Sequence, residues 1–229
     1  MENLVLIGVS TTAKTIFKFV NDYNLFNIIG FAVDPQYKTM DSYCDHPIFD
    51  LTHLDTIIDK KSDLIFISMQ WNRLNKDRKD LYLRLKSEGY SFANIISPAA
   101  IIHGKIKGGN CWLADHVLIE PNAEIGENTF IRSKAGIGPN SIIGPHCFIA
   151  SGSIIAGSVE IGEQTFVGVN ATIFDQVKIG KKSIIGACTR VKRSLPDFSI
   201  VKTVSDPDVI IQSFEDEIES KLLASKNIR

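Results

Sequence analysis

The sequence predicts a small α/β domain over residues 1–96, a parallel β-helix over 97–200 and a C-terminal helical tail over 201–229. Three observations predict it. An aliphatic residue returns at every sixth position from Ile101 to Val191, through Leu113, Ile119, Ile125, Ile131, Ile137, Ile143, Ile149, Ile155, Ile161, Val167, Ile173, Ile179 and Ile185, and only Lys107 departs. Gly often follows that residue, as at Gly126, Gly144 and Gly162, and a small or β-branched residue often stands four places on, as at Thr129, Ser141 and Thr165. A fixed six-residue period is the mark of a hexapeptide solenoid. Finally, short apolar runs alternate with helical patterns through the first ninety residues, the arrangement of a parallel sheet with helices on both faces.

Composition narrows the function. A chain of 229 residues with 44% hydrophobic and 22% charged residues is globular. A formal net charge of -1 without a basic block removes the electrostatic case for a nucleic-acid partner. No apolar run reaches transmembrane length and Met1–Ser10 lacks a secretory pattern, so a cytoplasmic location without membrane insertion is expected. Cys44, Cys111, Cys147 and Cys188 form no CxxC pair. Three of them, Cys111, Cys147 and Cys188, read as occupants of the small inward position, and no metal site is expected.

In chain order, Leu4–Val9 reads as a strand and Ala13–Asn21 as a helix that Ser10 or Thr11 caps. Asn27–Val33 is a second strand ending at Asp34–Pro35, and Asp63–Met69 a third. A charged helix follows from about Leu74 to Glu88, stopped by Gly89, and Ser91–Ile96 is a further strand. Ligands of such sheets sit beyond the carboxyl ends of the strands, which places Val9, Ser10, Asp34 and the loop Gln70–Arg73 around a site. Only Gly8 survives of a GxGxxG phosphate loop. The helix N-terminus with the hydroxyls of Ser10 and Thr11 still offers donors to a phosphate, and Asp34 is either a turn residue or a ligand contact.

Ser97–Pro98 opens about five coils of eighteen residues without insertions. Side chains three positions after each aliphatic residue are expected to point outward: His116, Asn122, Asn128, Lys134, Asn140, His146, Asn170 and Gln176. Eighteen-residue spacing stacks Asn128 on His146, and puts Asn122, Asn140 and Gln176 on another corner. The register is expected to stop after Val191, and a helix over about Pro207–Ala224 to cover the open end of the coil.

The chain resembles the hexapeptide-repeat sugar O/N-acyltransferases, typified by sialic-acid O-acetyltransferase and the bacillosamine-pathway amino-sugar N-acetyltransferase. The likeness runs over residues 3–200 and rests on Leu4–Gly8, Ile29–Asp34, Asn72–Leu74, Ser97–Ala100, the unbroken hexads and Ser183–Ala187. It implies a Rossmann-like N-terminal domain, a left-handed β-helix, a homotrimer, and acetyl-CoA as co-substrate in a groove between the coils of two subunits. It also implies a nucleotide-linked amino sugar as acceptor, near Val9, Ser10, Thr11, Asp34 and Asn72. Amides near Gly168, Gly186 and Ala187 would meet the pantetheine arm, and Lys192 a CoA phosphate.

In that family the pattern I-x-H-[D/E]-C-x-I-G supplies a base and its orienter. Here it falls on Ile137–Gly144, with Pro139 at the His position and Asn140 at the acidic one; a second family His falls on Phe148. The element that follows the coils near the CoA adenine has no counterpart in Lys202–Pro207. Three readings follow: N-transfer without a His base, with Asn140 orienting the amine; O-transfer with His146 as base; or a non-catalytic relative that binds a nucleotide sugar or stabilises an assembly. The first is preferred, in bacterial surface-glycan (lipopolysaccharide or capsule) synthesis, because an amine attacks a thioester without the base that a hydroxyl needs.

Overall fold

The computed structural model describes residues 1–202 and 209–212. It divides into two compact units, Met1–Gln70 with Asp80–Ile95, and Trp71–Lys79 with Ile96–Arg229. Trp71–Lys79 groups with the coil rather than with the sheet.

The first unit is a six-stranded sheet. Its elements are β1 (Asn3–Ile7), α1 (Thr11–Asp22), β2 (Asn27–Val33), β3 (Ser42–Tyr43), β4 (His46–Asp50), β5 (Leu64–Ile67), α2 (Lys76–Ser87) and β6 (Ser91–Phe92). The first turn of α2 falls in the other unit. The strand order is β3-β4-β2-β1-β5-β6, parallel except for the β3–β4 hairpin. Alternation along β1 sends Val5 and Ile7 into a cluster with Tyr82 and Leu85 of α2 and with Leu51 and Leu54 of a 3-10 helix. Leu6 and its register partner Phe31 lie on the opposite face, where Phe17 of α1 meets Phe31 at 5.7 Å. Helices thus cover both faces. The hairpin was not legible in the sequence because Pro47 and two-residue β3 leave no alternation to read.

The second unit is the left-handed parallel β-helix. Its short strands, mostly of two residues, stack into three sheets of eight, six and five strands, parallel except where Val209–Gln212 joins the first, and the aliphatic row fills a dry interior from Leu113 to Val191. Every sixth backbone from Asn110 to Cys188 is left-handed, including Asn122 (φ 62), Asn128 (φ 53), Asn140 (φ 57) and His146 (φ 60), with Gly152 in the same series (φ 70). Asn recurs there because it tolerates this conformation better than most residues. The small position carries a second ladder. Thr129 Oγ1 donates to Gly144 O (3.1 Å), Ser141 Oγ to Ala156 O (2.8 Å) and Ser153 Oγ to Gly168 O (2.9 Å), tying each coil to the next.

Four expectations are corrected here. The register slips in the first coil: Leu118 pairs with Ile101 and Ile125 with Ile106, so Ile102 and Ile106 pack inward while Ile101 and Lys107 are exposed. The coil also does not stop at Val191. Leu195 bridges Ile179, and Ser199–Lys202 pairs in parallel with Ile184–Ile185, which adds Leu195 and Val201 to the interior. Val209–Gln212 is a strand antiparallel to Ser199–Lys202 instead of the start of a helix; the rest of the expected helix lies outside the described residues. Cys111 and Cys147 do fill the small position, and their thiols donate to Gly126 O and Gly162 O. Cys188 instead occupies a left-handed corner (φ 59) and is exposed.

The outer face of the eight-stranded sheet carries Trp112, Phe130, Phe148, Phe166 and Ile184, and Trp71–Lys79 packs against it. Trp71 meets Phe148 at 4.7 Å, Leu74 joins Ile184 and Ile200, and the Arg78 guanidinium lies 3.9 Å from the Phe130 ring. Arg78 is fully buried and donates to Cys147 O (3.1 Å) and Asn128 O (3.3 Å). Burial pushes its pKa down to about 9, which still leaves it charged at neutral pH.

Candidate functional site

Two places gather the expected residues, one in each unit. In the first unit they surround the carboxyl ends of β1, β2 and β5. Gly8 has φ 114, a conformation other residues rarely adopt, and a methyl there would lie 3.2 Å from Ser68 Oγ. Ser68 is buried and donates to Ile7 O at 2.7 Å. Ser10 caps α1, its Oγ accepting from Ala13 N (3.2 Å), so that hydroxyl is already engaged. Thr11 is exposed on the first turn and Val9 is half-buried beside it. Asp34, at the end of β2, accepts from Arg84 Nη2 at 3.0 Å. Tyr43 of the hairpin donates to Ser10 O at 3.1 Å and stands edge-on to Phe31. The structure thus adds Ser68, Tyr43 and Arg84 to the sequence set. The only signal for them was the parallel sheet itself, since each comes from a different strand, hairpin or helix. Asn72 is exposed and belongs to the other unit.

In the coil, the expected stacking is present on both corners. Asn110 Nδ2 donates to Asn128 Oδ1 (2.7 Å), and the Asn128 amide meets His146 Nδ1 at 2.9 Å. This corner is not outward-facing as expected: Asn128 and His146 are buried, with 0% and 3% exposure. The reason is tertiary, since Lys79 and Arg78 lie against the same corner, Lys79 Nζ reaching Gln164 Oε1 at 3.4 Å. Burial first, then the positive charges of Lys79 and Arg78, push the His146 pKa down to about 4. A buried imidazole with its Nδ1 occupied is poorly suited to the base role expected of it.

The other corner is open. Asn140 is exposed, and its Oδ1 accepts from Asn122 Nδ2 at 3.2 Å. Beside it Pro139, Gly157 and Asp175 follow at eighteen-residue spacing. Ser158 N donates to Pro139 O (2.8 Å) and Gly157 N to Asp175 Oδ1 (3.0 Å). Pro139 has neither an N–H nor a titratable group, so any acid–base chemistry here must come from its neighbours.

The residues expected to meet CoA are distributed along the last coils. The amide of Gly168 donates to Ile185 O (2.7 Å) and that of Gly186 to Val201 O (2.8 Å), so both serve the coil and are not directed at a ligand. Gly168 is glycine for a packing reason: a methyl there would stand 2.5 Å from Ala187 N. Ala187 is exposed. Lys192 is exposed, with Nζ 5.7 Å from the Phe174 ring, and Phe174 is itself exposed. Among the described residues no group of three or more His, Cys, Asp or Glu is placed to hold a metal ion.

Residues 122–157 and 140–175 match the family described as bacterial transferase hexapeptide (six repeats). No curated protein matches the chain in sequence. Among solved structures, the chain is similar to a histidine-to-asparagine variant of perosamine N-acetyltransferase from Caulobacter crescentus, in complex with CoA and GDP-perosamine. The identity is 23%, the TM-score 0.81, and the match covers 93% of this chain and 98% of that one. It is similar as well to the acetyltransferase domain of PglB from Neisseria gonorrhoeae, at 15% identity and TM-score 0.78 over 92% and 100% of the two chains. WeeI from Acinetobacter baumannii matches at 19% identity and TM-score 0.76, again over 92% and 100%. The chain therefore carries bacterial transferase hexapeptide repeats over 122–175, within a fold that it shares almost end to end with solved acetyltransferases.

Proposed function

We propose that this protein is an acyltransferase that moves an acetyl group from acetyl-CoA to the amino group of a nucleotide-linked sugar, in the synthesis of a bacterial surface glycan such as lipopolysaccharide or capsule. The observation that carries this is the pairing of both units in one chain, matched nearly end to end by a perosamine N-acetyltransferase whose structure holds CoA and GDP-perosamine. N-transfer is preferred to O-transfer. The open corner presents Asn140 and Pro139, while His146, the base an O-transferase would use, is buried and bonded to Asn128.

In this reading the nucleotide meets Val9, Ser10, Thr11 and Asp34 at the strand ends, and Asn72 joins the acceptor site. Asn140 orients the sugar amine. CoA lies along the coil past Gly168, Gly186 and Ala187, contacting the surface they form, with Lys192 at a phosphate. The exposed Ile154, Val169 and Phe174 support a homotrimer in which a neighbouring coil covers them.

The test is thiol release from acetyl-CoA with a panel of nucleotide-linked amino sugars. Turnover with one of them is expected, and Asn140→Ala should lower kcat about tenfold or more while His146→Gln retains activity. No thiol release together with no CoA binding would favour instead a non-catalytic relative that binds a nucleotide sugar or stabilises an assembly.

A further inference from the structure

We infer that Asp175 is the proton acceptor of this transferase, reaching the reaction corner from the coils below through the space left by Gly157. The inference rests on acetyl transfer taking place at the Pro139–Asn140 corner. Three residues stack there, Pro139, Gly157 and Asp175, each eighteen residues from the next. Asp175 is exposed, and its Oδ1 accepts from Gly157 N at 3.0 Å, so the carboxylate is drawn one coil up from its own level. A methyl on Gly157 would lie 3.3 Å from that oxygen and 3.6 Å from Cδ of Pro139. The carboxylate therefore stands about one side chain's width from Pro139, with glycine keeping the path between them clear. One N–H occupies only part of a carboxylate, which has about four lone-pair sites. The remainder can take an ammonium.

The chemistry balances without a further reactant. An amino sugar arrives as its ammonium and donates a proton to Asp175, which passes it to solvent. The freed nitrogen lone pair attacks the thioester carbonyl carbon and the N–C bond forms. The C–S bond then breaks, and the second nitrogen proton goes to the departing thiolate to give the CoA thiol. A positioned base of this kind is worth on the order of 100-fold or more in rate.

Asp175→Asn keeps an oxygen for Gly157 N and so preserves the coil. It is expected to lower kcat about 100-fold with the KM for acetyl-CoA within about twofold and unchanged thermal melting. Gly157→Ala, which sets a methyl between the carboxylate and Pro139, should lower kcat about tenfold. Asp175→Glu should recover part of the rate lost in Asp175→Asn. If the native chain turns over an amino sugar and Asp175→Asn keeps its kcat within about threefold, or loses only KM, the role of Asp175 is overturned and acetyl transfer stands. A native chain that releases no thiol with any amino sugar overturns both.

Discussion

At pH 7 the imidazole of His146 is neutral, because burial and the charges of Lys79 and Arg78 push its pKa down to about 4. In the unfolded chain it titrates near 6.5, so between pH 6.5 and 4 the unfolded state binds more protons than the folded one. Stability from this residue is therefore complete above about pH 6.5 and falls as the pH drops toward 4. The loss amounts to about 2 kcal/mol by pH 5. Thermal or urea unfolding at pH 7.5 and 5, compared between the native chain and His146→Gln, should show that difference only in the native chain; equal pH sensitivity would refute it. The sequence could place His146 beside Asn128 because eighteen residues make one coil. It could not show that Trp71–Lys79 lies over that corner, since the contact joins residues about seventy positions apart.

Within each coil, six-residue spacing prescribes both the interior and the corners. Glycine after the inward residue follows from how closely successive coils approach. A methyl at Gly162 would lie 2.4 Å from Lys181 N and 2.7 Å from Lys181 Cα, both backbone atoms that cannot move without parting two coils. Gly162→Ala is accordingly expected to destabilise the protein by about 2–3 kcal/mol, read by chemical denaturation, whereas Gly136→Ala, whose nearest neighbour would be Ile154 Cδ1 at 3.6 Å, should change stability by less than about 1 kcal/mol. The ladder of hydroxyl and thiol donors explains the small position as a hydrogen-bonding site as well as a space-saving one. Lys107 was the legible sign of the slipped first coil. Ile101 and Ile102, or Ile106 and Lys107, offer neighbouring choices of inward residue, and the strand pairing chooses Ile102 and Ile106.

For the molecule as a whole, the exposed apolar side chains of the coil bear on assembly. Ile154 is 49% exposed, Val169 47% and Phe174 40%, on a chain of near-neutral net charge. Covered by neighbouring copies, they would form the apolar centre of an interface. Light scattering with size-exclusion chromatography should find a trimer for the native chain and a smaller species for Ile154→Lys. A monomeric native chain would refute the homotrimer. No helix among the described residues is long and apolar enough to cross a membrane.

By itself, the sequence determined the repeat, the parallel sheet before it and the stacking partners along each corner. All of these follow from local period and residue type, which a linear reading carries in full. Tertiary structure decided which corner is open. Arg78 and Lys79 bury His146, Gly157 lets Asp175 rise toward Pro139, and the coil continues past Val191 to Val201. Those outcomes depend on contacts between coils and with a distant segment, where a missing side chain or a covering one changes the chemistry without altering the six-residue rhythm.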